Sequence, residues 1–487
     1  MGSHRAPYGG GAGDRVPTGL RPPGPAGARP AFARPPRRRA APRSTLIILI
    51  TCAALVIAAV LFFAAGAAAR RQPAASGHRS VTTASRPAPA GSGRPGSGQG
   101  GGGRAGGGAS GHPAGQVRPA AVAPGIGLRP GAVSPVRAGY AMAEAAIPKL
   151  TPLQLAGQRV IYSYRGLNPP RGLLWLIAHG EAAGVIFFSG NVGSPAHLAA
   201  VVRELERAAA SPGNPVRAPL LLMTDQEGGL VRRLPGPPLL SAKQIGESAH
   251  PWAAARAAGA GAGANLRGVG LNVNLAPVLD VYRTPGNFID QYQRSFSSNP
   301  KKVAKLGQLY ATAEQAKGVA ATVKHFPGLG AAATWQNTDE RPVTLNLTLH
   351  QIRTIDELPY RSAIAAKVKL VMVSWAIYPA LDPARPAGLS SRVVQGELRR
   401  RLGFAGVTIT DALEAGALGP FGSIARRARL AAAAGMDLIL CAEQDYHEGS
   451  AAMHALEAAY LAGTAAQRAA FTAAAERAIA LRHTLPG

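Results

Sequence analysis

Cysteine is nearly absent, with two in 487 residues. Cys52 lies inside an apolar run and Cys441 ends a core-like segment. The two would sit in different compartments if that run crosses a membrane, so an intrachain disulfide is not expected. No group of Cys and His has metal-ligand spacing, so no metal site is expected. Aromatic residues make up only 5% of the chain. Acids are almost missing from the first 135 residues, which hold 17 Arg, no Lys and the single acid Asp14. That is about +16 of a formal net charge of +28. Such a balance raises nucleic acid as a partner. However, most of these Arg stand singly among Gly, Pro and Ala, with few aromatics on which bases could stack. The expectation is therefore no nucleic acid, and a basic segment near anionic lipid or wall polymer instead.

Residues 1–45 are polar and rich in Pro and Gly, with a basic cluster at Arg37, Arg38, Arg39 and Arg43. Residues 46–69 then carry no charge at all, long enough for a spanning helix, which needs about 20 apolar residues. The larger basic group precedes this run, and only Arg70 and Arg71 follow it. That asymmetry predicts a single-pass anchor in the cell membrane, with the N-terminus cytoplasmic and the bulk of the chain outside. A cleaved secretory signal is the other reading, because Ala-Gly-Ala-Ala-Ala at 65–69 resembles a cleavage site. The long leading segment and the long apolar run favour the retained anchor. Cys52 is followed by more apolar residues, which argues against a lipidation site. Residues 70–135, mostly Gly, Pro, Ser, Ala and Arg, bury too little apolar surface to offset ordering and are expected to be a flexible linker.

A regular rhythm starts near Tyr140, and the remaining stretch, 136–487, is expected to be one domain. Short aliphatic or β-branched runs alternate with helical stretches: 159–164, 184–188, 220–224, 271–281, 319–324, 370–374, 406–410 and 437–440. Between them, segments such as HLAAVVRELERAA (197–209) space apolar residues by three and four. Continuous apolar strands separated by helices imply a parallel sheet covered on both faces. Eight units in about 350 residues predict an α/β fold of the (β/α)8 TIM-barrel type. A doubly wound open sheet is the alternative.

Active residues of a barrel lie at the C-terminal ends of its strands. Here the third run ends in Asp225, followed by Gln226, Glu227, Gly228 and Gly229. The fourth ends in Asp280, the fifth in Lys324 and His325, and the seventh in Asp411, while the sixth passes into Ser374 and Trp375. Charges gathered on one face are costly unless paired or used, so five such endings point to a site.

These residues sit in TDQEGGLVRRL (224–234), LNVNLAPVLDV (271–281), RSF (294–296), KHFPGLG (324–330) and LGFAGVTITDALEAGAL (402–418). In this order and spacing the motifs resemble glycoside hydrolase family 3, in its β-N-acetylhexosaminidase branch, over about residues 140–485. The resemblance implies a barrel acting on β-linked N-acetylglucosamine or related cell-wall glycans, with no cofactor. It implies that Asp411 is the nucleophile that forms a glycosyl-enzyme. It also implies that Asp225, Arg294, Lys324 and His325 bind substrate, and Asp280 is grouped with them. Gly228 and Gly229 fit a tight turn where backbone approaches ligand. Glu227 reads as structural.

In one place the sequence departs from the branch. Its members carry an Asp-Ser-His triplet after KHFPGHG, and the His is the general acid/base. Here the stretch reads KHFPGLGAAATWQNTDERPV, and residues 329–349 contain no histidine. The triplet falls on Trp335-Gln336-Asn337 or on Asn337-Thr338-Asp339. Three readings are open: Asp339, or failing that Glu340, is a carboxylic acid/base; the nucleophile works alone on good leaving groups; or the domain binds glycan without cleaving it.

Overall fold

The computed structural model describes residues 149–487. The expected basic segment 1–45, the spanning run 46–69 and the linker 70–135 lie outside the described residues. Among the described residues, no helix is long and apolar enough to cross a membrane.

Eight parallel strands form the centre: β1 (Val160–Tyr162), β2 (Gly184–Ile186), β3 (Leu221–Thr224), β4 (Val273–Asn274), β5 (Ala320–Phe326), β6 (Leu370–Val373), β7 (Val407–Thr410) and β8 (Ile439–Leu440). Each overlaps one of the eight runs read from the sequence. β1 pairs with both β2 and β8, and the order continues through β3, β4, β5 and β6 to β7. A parallel bridge between Ile409 and Leu438 joins β7 to β8 and closes the ring. The alternative of an open doubly wound sheet is thereby excluded, since such a sheet keeps two free edges.

The fourth run is shorter than its apolar character suggests. Only Val273 and Asn274 pair continuously with both neighbours. Pro277 follows and has no N–H for the ladder. Pairing resumes as a single bridge from Val278 to Lys324, so the chain bends at the proline and Asp280 is carried past the strand end.

A helix follows every strand. Pro195–Ala209 shows why such segments are helical: Ser194 Oγ accepts the His197 N–H at 3.1 Å, Pro195 occupies the first turn, and Leu198, Val201, Val202, Leu205 and Ala209 form one buried stripe. The Ala- and Gly-rich helix Pro251–Gly268 packs on Pro300–Gln315 at very short range. A Cβ on Gly259 would lie 2.1 Å from the Tyr310 carbonyl oxygen, so only glycine allows that approach.

Alternate strand residues fill the barrel, among them Ile161, Leu221, Met223, Val273, Leu370, Met372, Ile409 and Leu438. Ala478, Leu481 and Leu485 join the same cluster from the last helix, Ala465–His483, and its end. Arg482 is fully buried beside them and donates to the carbonyls of Pro219 (2.7 Å) and Ala218 (2.8 Å) and to Gln158. The C-terminal helix therefore plugs the N-terminal mouth, and the opposite mouth is left for chemistry.

Candidate active site

A cavity of about 460 Å³ opens at the C-terminal ends of the strands. Its polar wall is built from β3 and β5. Lys324 Nζ lies 2.7 Å from Asp225 Oδ1 and 2.8 Å from Glu227 Oε1. Arg294 forks onto Glu227, with Nε to Oε2 at 3.0 Å and Nη2 to Oε1 at 2.8 Å. Burial alone would raise the Glu227 carboxyl, but the Arg294 and Lys324 cations outweigh it and hold that group well below the usual carboxylate range. Glu227 does not line the cavity, as a structural role requires, whereas Asp225, Arg294 and Lys324 do. The turn at Gly228 and Gly229 is tight, with φ of +107° and +56°. What approaches it is the chain at Leu240 and Ser241 and not the cavity.

His325 also lines the cavity, while Asp280 does not. Asp280 was expected among the substrate-binding groups, but it is fully buried and both its oxygens are occupied. Oδ2 faces His325 Nδ1 at 2.8 Å, and Oδ1 accepts from the backbone N–H groups of His325 (3.2 Å) and Leu329 (2.7 Å). It is a positioning residue: with Nδ1 held by Asp280, Nε2 is turned the other way, 3.5 Å from Arg294 Nη2.

Asp411 lies just beyond β7 and lines the cavity. Among the described residues, its Oδ1 accepts the adjacent Ala412 N–H, at 2.8 Å. The next regular helix begins at Ile424, so Asp411 does not cap it. Behind it, Trp375 is fully buried and donates Nε1–H to the Ala412 carbonyl at 2.8 Å. Ser374 and Trp375, counted from the sequence among the strand-end groups, thus brace the wall without reaching the cavity.

The loop without histidine decides the triplet's position. Asn337, Thr338 and Asp339 line the cavity, and Trp335 and Gln336 do not. The second alignment, Asn337-Thr338-Asp339, is the one whose three residues all line the cavity. Glu340 is turned away, accepting from Asn337 Nδ2 (3.0 Å) and Arg341 Nη2 (3.1 Å). Asp339 is exposed and lines the cavity together with Asp411. Partial burial and the neighbouring Asp411 carboxylate push it above its ordinary value, against the opposing pull of Arg294 and His325.

Glu414 was missed by sequence reasoning, although it stands three residues after Asp411 in the same motif. It lines the cavity, accepts the Ala442 N–H at 3.2 Å, and its carboxyl neighbours that of Glu448 on the helix Tyr446–Leu461. No sequence signal links these two. Burial and the Glu414 carboxyl push Glu448 up to about 8, so the pair holds a proton at neutral pH. A carboxyl raised on folding contributes stability below its unfolded value, and that contribution is lost as pH rises towards about 8. Glu448→Gln removes the charge and keeps an oxygen for the Glu443 N–H. We expect it to stabilise the fold by about 1–2 kcal/mol at pH 8 and to be near neutral at pH 5, measured as denaturant midpoints at both pH values. An equal change at both would exclude a shared proton. Arg233, Phe288 and Tyr292 also line the cavity unannounced by the sequence.

Carboxyl groups gathered on a cavity at the C-terminal mouth of a barrel, two of them with raised proton affinity, are an arrangement suited to a glycosidase-type (β/α)8 protein. The chain belongs to glycosyl hydrolase family 3: residues 158–481 match the family described as "Glycosyl hydrolase family 3 N terminal domain". It is 48% identical over 310 residues to an "Uncharacterized secreted glycosyl hydrolase" of Arthroderma benhamiae, covering 63% of this chain and 87% of that one. It is 34% identical to a "Beta-hexosaminidase" of Nitrosomonas eutropha, over 55% of this chain and 76% of that one. A solved family 3 β-N-acetylglucosaminidase from Paenibacillus superposes with a TM-score of 0.64 at 35% identity, over 69% of this chain and 63% of that one.

Proposed function

We propose that the protein is a retaining β-N-acetylhexosaminidase-like hydrolase that removes terminal β-linked N-acetylglucosamine from glycans such as those of a cell wall. The observation that carries this is the placement of Asp339 and Asp411 on one cavity, with the Asp339 carboxyl raised partly by Asp411. Asp411 attacks the anomeric carbon and the glycosidic bond breaks as Asp339 gives its proton to the leaving oxygen. Asp339, now ionised, takes a proton from the water that releases the sugar from Asp411. Asp225, Lys324, Arg294 and His325 hold the sugar hydroxyls and the acetamido carbonyl. The names of the Nitrosomonas and Paenibacillus relatives support this substrate class. The test is turnover of aryl β-N-acetylglucosaminide against aryl β-glucoside. Preference for the first is expected. Turnover of neither, with millimolar sugar binding retained, would mark a glycan-binding protein instead.

We further propose that the barrel works outside the cytoplasm, tethered by residues 46–69. The charge pattern around that run supports this, as does the description of the Arthroderma relative as secreted. Protease added to intact cells should remove the barrel and leave a small membrane stub. Full-length protein in the cytosolic fraction would defeat the assignment.

A further inference from the structure

The loop bearing Asp339 is fastened along its length. Its first half is tied to the segment after β4: Arg283 N–H donates to the Gly330 carbonyl (3.0 Å), Asn287 Nδ2 to the same oxygen (2.7 Å), and Gln291 Nε2 to the Thr334 carbonyl (3.0 Å). Its second half is tied to the segment that follows the nucleophile strand. Gly416 N–H donates to the Asp339 carbonyl at 2.7 Å, and Ala417 N–H donates to the Thr338 carbonyl at 3.0 Å. Gly416 has no space for a side chain: a Cβ there would lie 2.2 Å from the Glu340 carbonyl oxygen and 2.3 Å from its carbon. Both neighbours are backbone atoms, so relief requires the loop to move.

We infer that Gly416 is a positioning residue for the proton donor, a backbone staple that fixes the Asp339 loop to the Asp411 segment before substrate arrives. This rests on the reading of Asp339 as acid/base. Catalysis is sensitive to such placement, because a shift near 1 Å in a catalytic group costs about 100-fold. Gly416 does not line the cavity. It acts by bringing the two segments within a methyl group of each other.

The test uses the full chain and four proteins: parent, Gly416→Ala, Asp339→Ala and Gly419→Ala. Gly419 lies in the same segment with nothing within 4 Å of an added Cβ, so its variant should match the parent. Each is assayed on a dinitrophenyl β-N-acetylglucosaminide and on N,N′-diacetylchitobiose. Gly416→Ala should lose about 10- to 100-fold in kcat/KM on the disaccharide and little on the aryl substrate. The alkaline limb of its pH–rate profile should move to lower pH, because Asp339 would be better solvated and farther from Asp411. Parent-like activity on the disaccharide would overturn the staple, and so would equal loss on both substrates with an unchanged pH profile. If Asp339→Ala itself shows no leaving-group selectivity, the acid/base reading fails and the staple falls with it. Should Gly416→Ala not fold, amide exchange in the parent decides: slow exchange at Gly416 and Ala417 together is expected, and rapid exchange at both would overturn the inference.

Discussion

Asp411→Asn is expected to lower kcat by about 10⁴-fold or more on every substrate, good leaving groups included, because no glycosyl-enzyme forms without the carboxylate. The fold should not suffer. The one backbone bond made by Asp411, from the Ala412 N–H, can be accepted equally by an asparagine Oδ1. Loss of rate with an unchanged melting temperature therefore isolates chemistry from stability. A mechanism-based fluoro-sugar should label Asp411 in the parent and nothing in the variant. Labelling at Asp225, which is already paired with Lys324, or at Asp280, whose oxygens are both occupied, would overturn the assignment.

Asp339→Ala should divide substrates by leaving group. Only a poor leaving group needs a proton, so disaccharides should slow by about 10²- to 10⁴-fold while activated aryl glycosides form the covalent intermediate almost as before. Release of that intermediate would then be limiting, since no base remains to activate water. Azide needs no base and should restore part of the rate, giving a glycosyl azide that mass spectrometry identifies. A variant as active as the parent on disaccharides would rule Asp339 out. Glu340 is no substitute, because its carboxyl is already engaged by Asn337 and Arg341.

All eight strands were legible in the sequence because a barrel strand buries both faces and reads as an uninterrupted apolar run. The ends of those runs likewise supplied Asp225, Lys324, His325 and Asp411, all of which reach the cavity. What strand ends do not reveal is direction. Asp280 and Ser374 sit at the same kind of position, yet the first turns to His325 and the second accepts the Ala376 N–H at 3.0 Å. The first choice is made by a neighbour 45 residues away and the second by a local turn, and periodicity carries no record of either. Glu414 and Glu448 show the same limit, meeting only because the loop after β7 passes the helix that follows β8. The altered loop was legible as a missing histidine, but its alignment needed the backbone bonds that turn Asn337, Thr338 and Asp339 inward.

The plug at the base of the barrel has a consequence for how the chain is made. Arg482 reaches Gln158 across 324 residues, and the closing strand β8 pairs with β1 across nearly as many. Neither contact can form until the residues of β8 and of the plug helix have each left the ribosome. Contacts this distant in sequence form slowly, because the entropy of closing the loop must be met before they reward it. Until then, the inner faces of seven strands remain without their floor, and the growing chain depends on its local helix–strand units to keep those faces from other molecules.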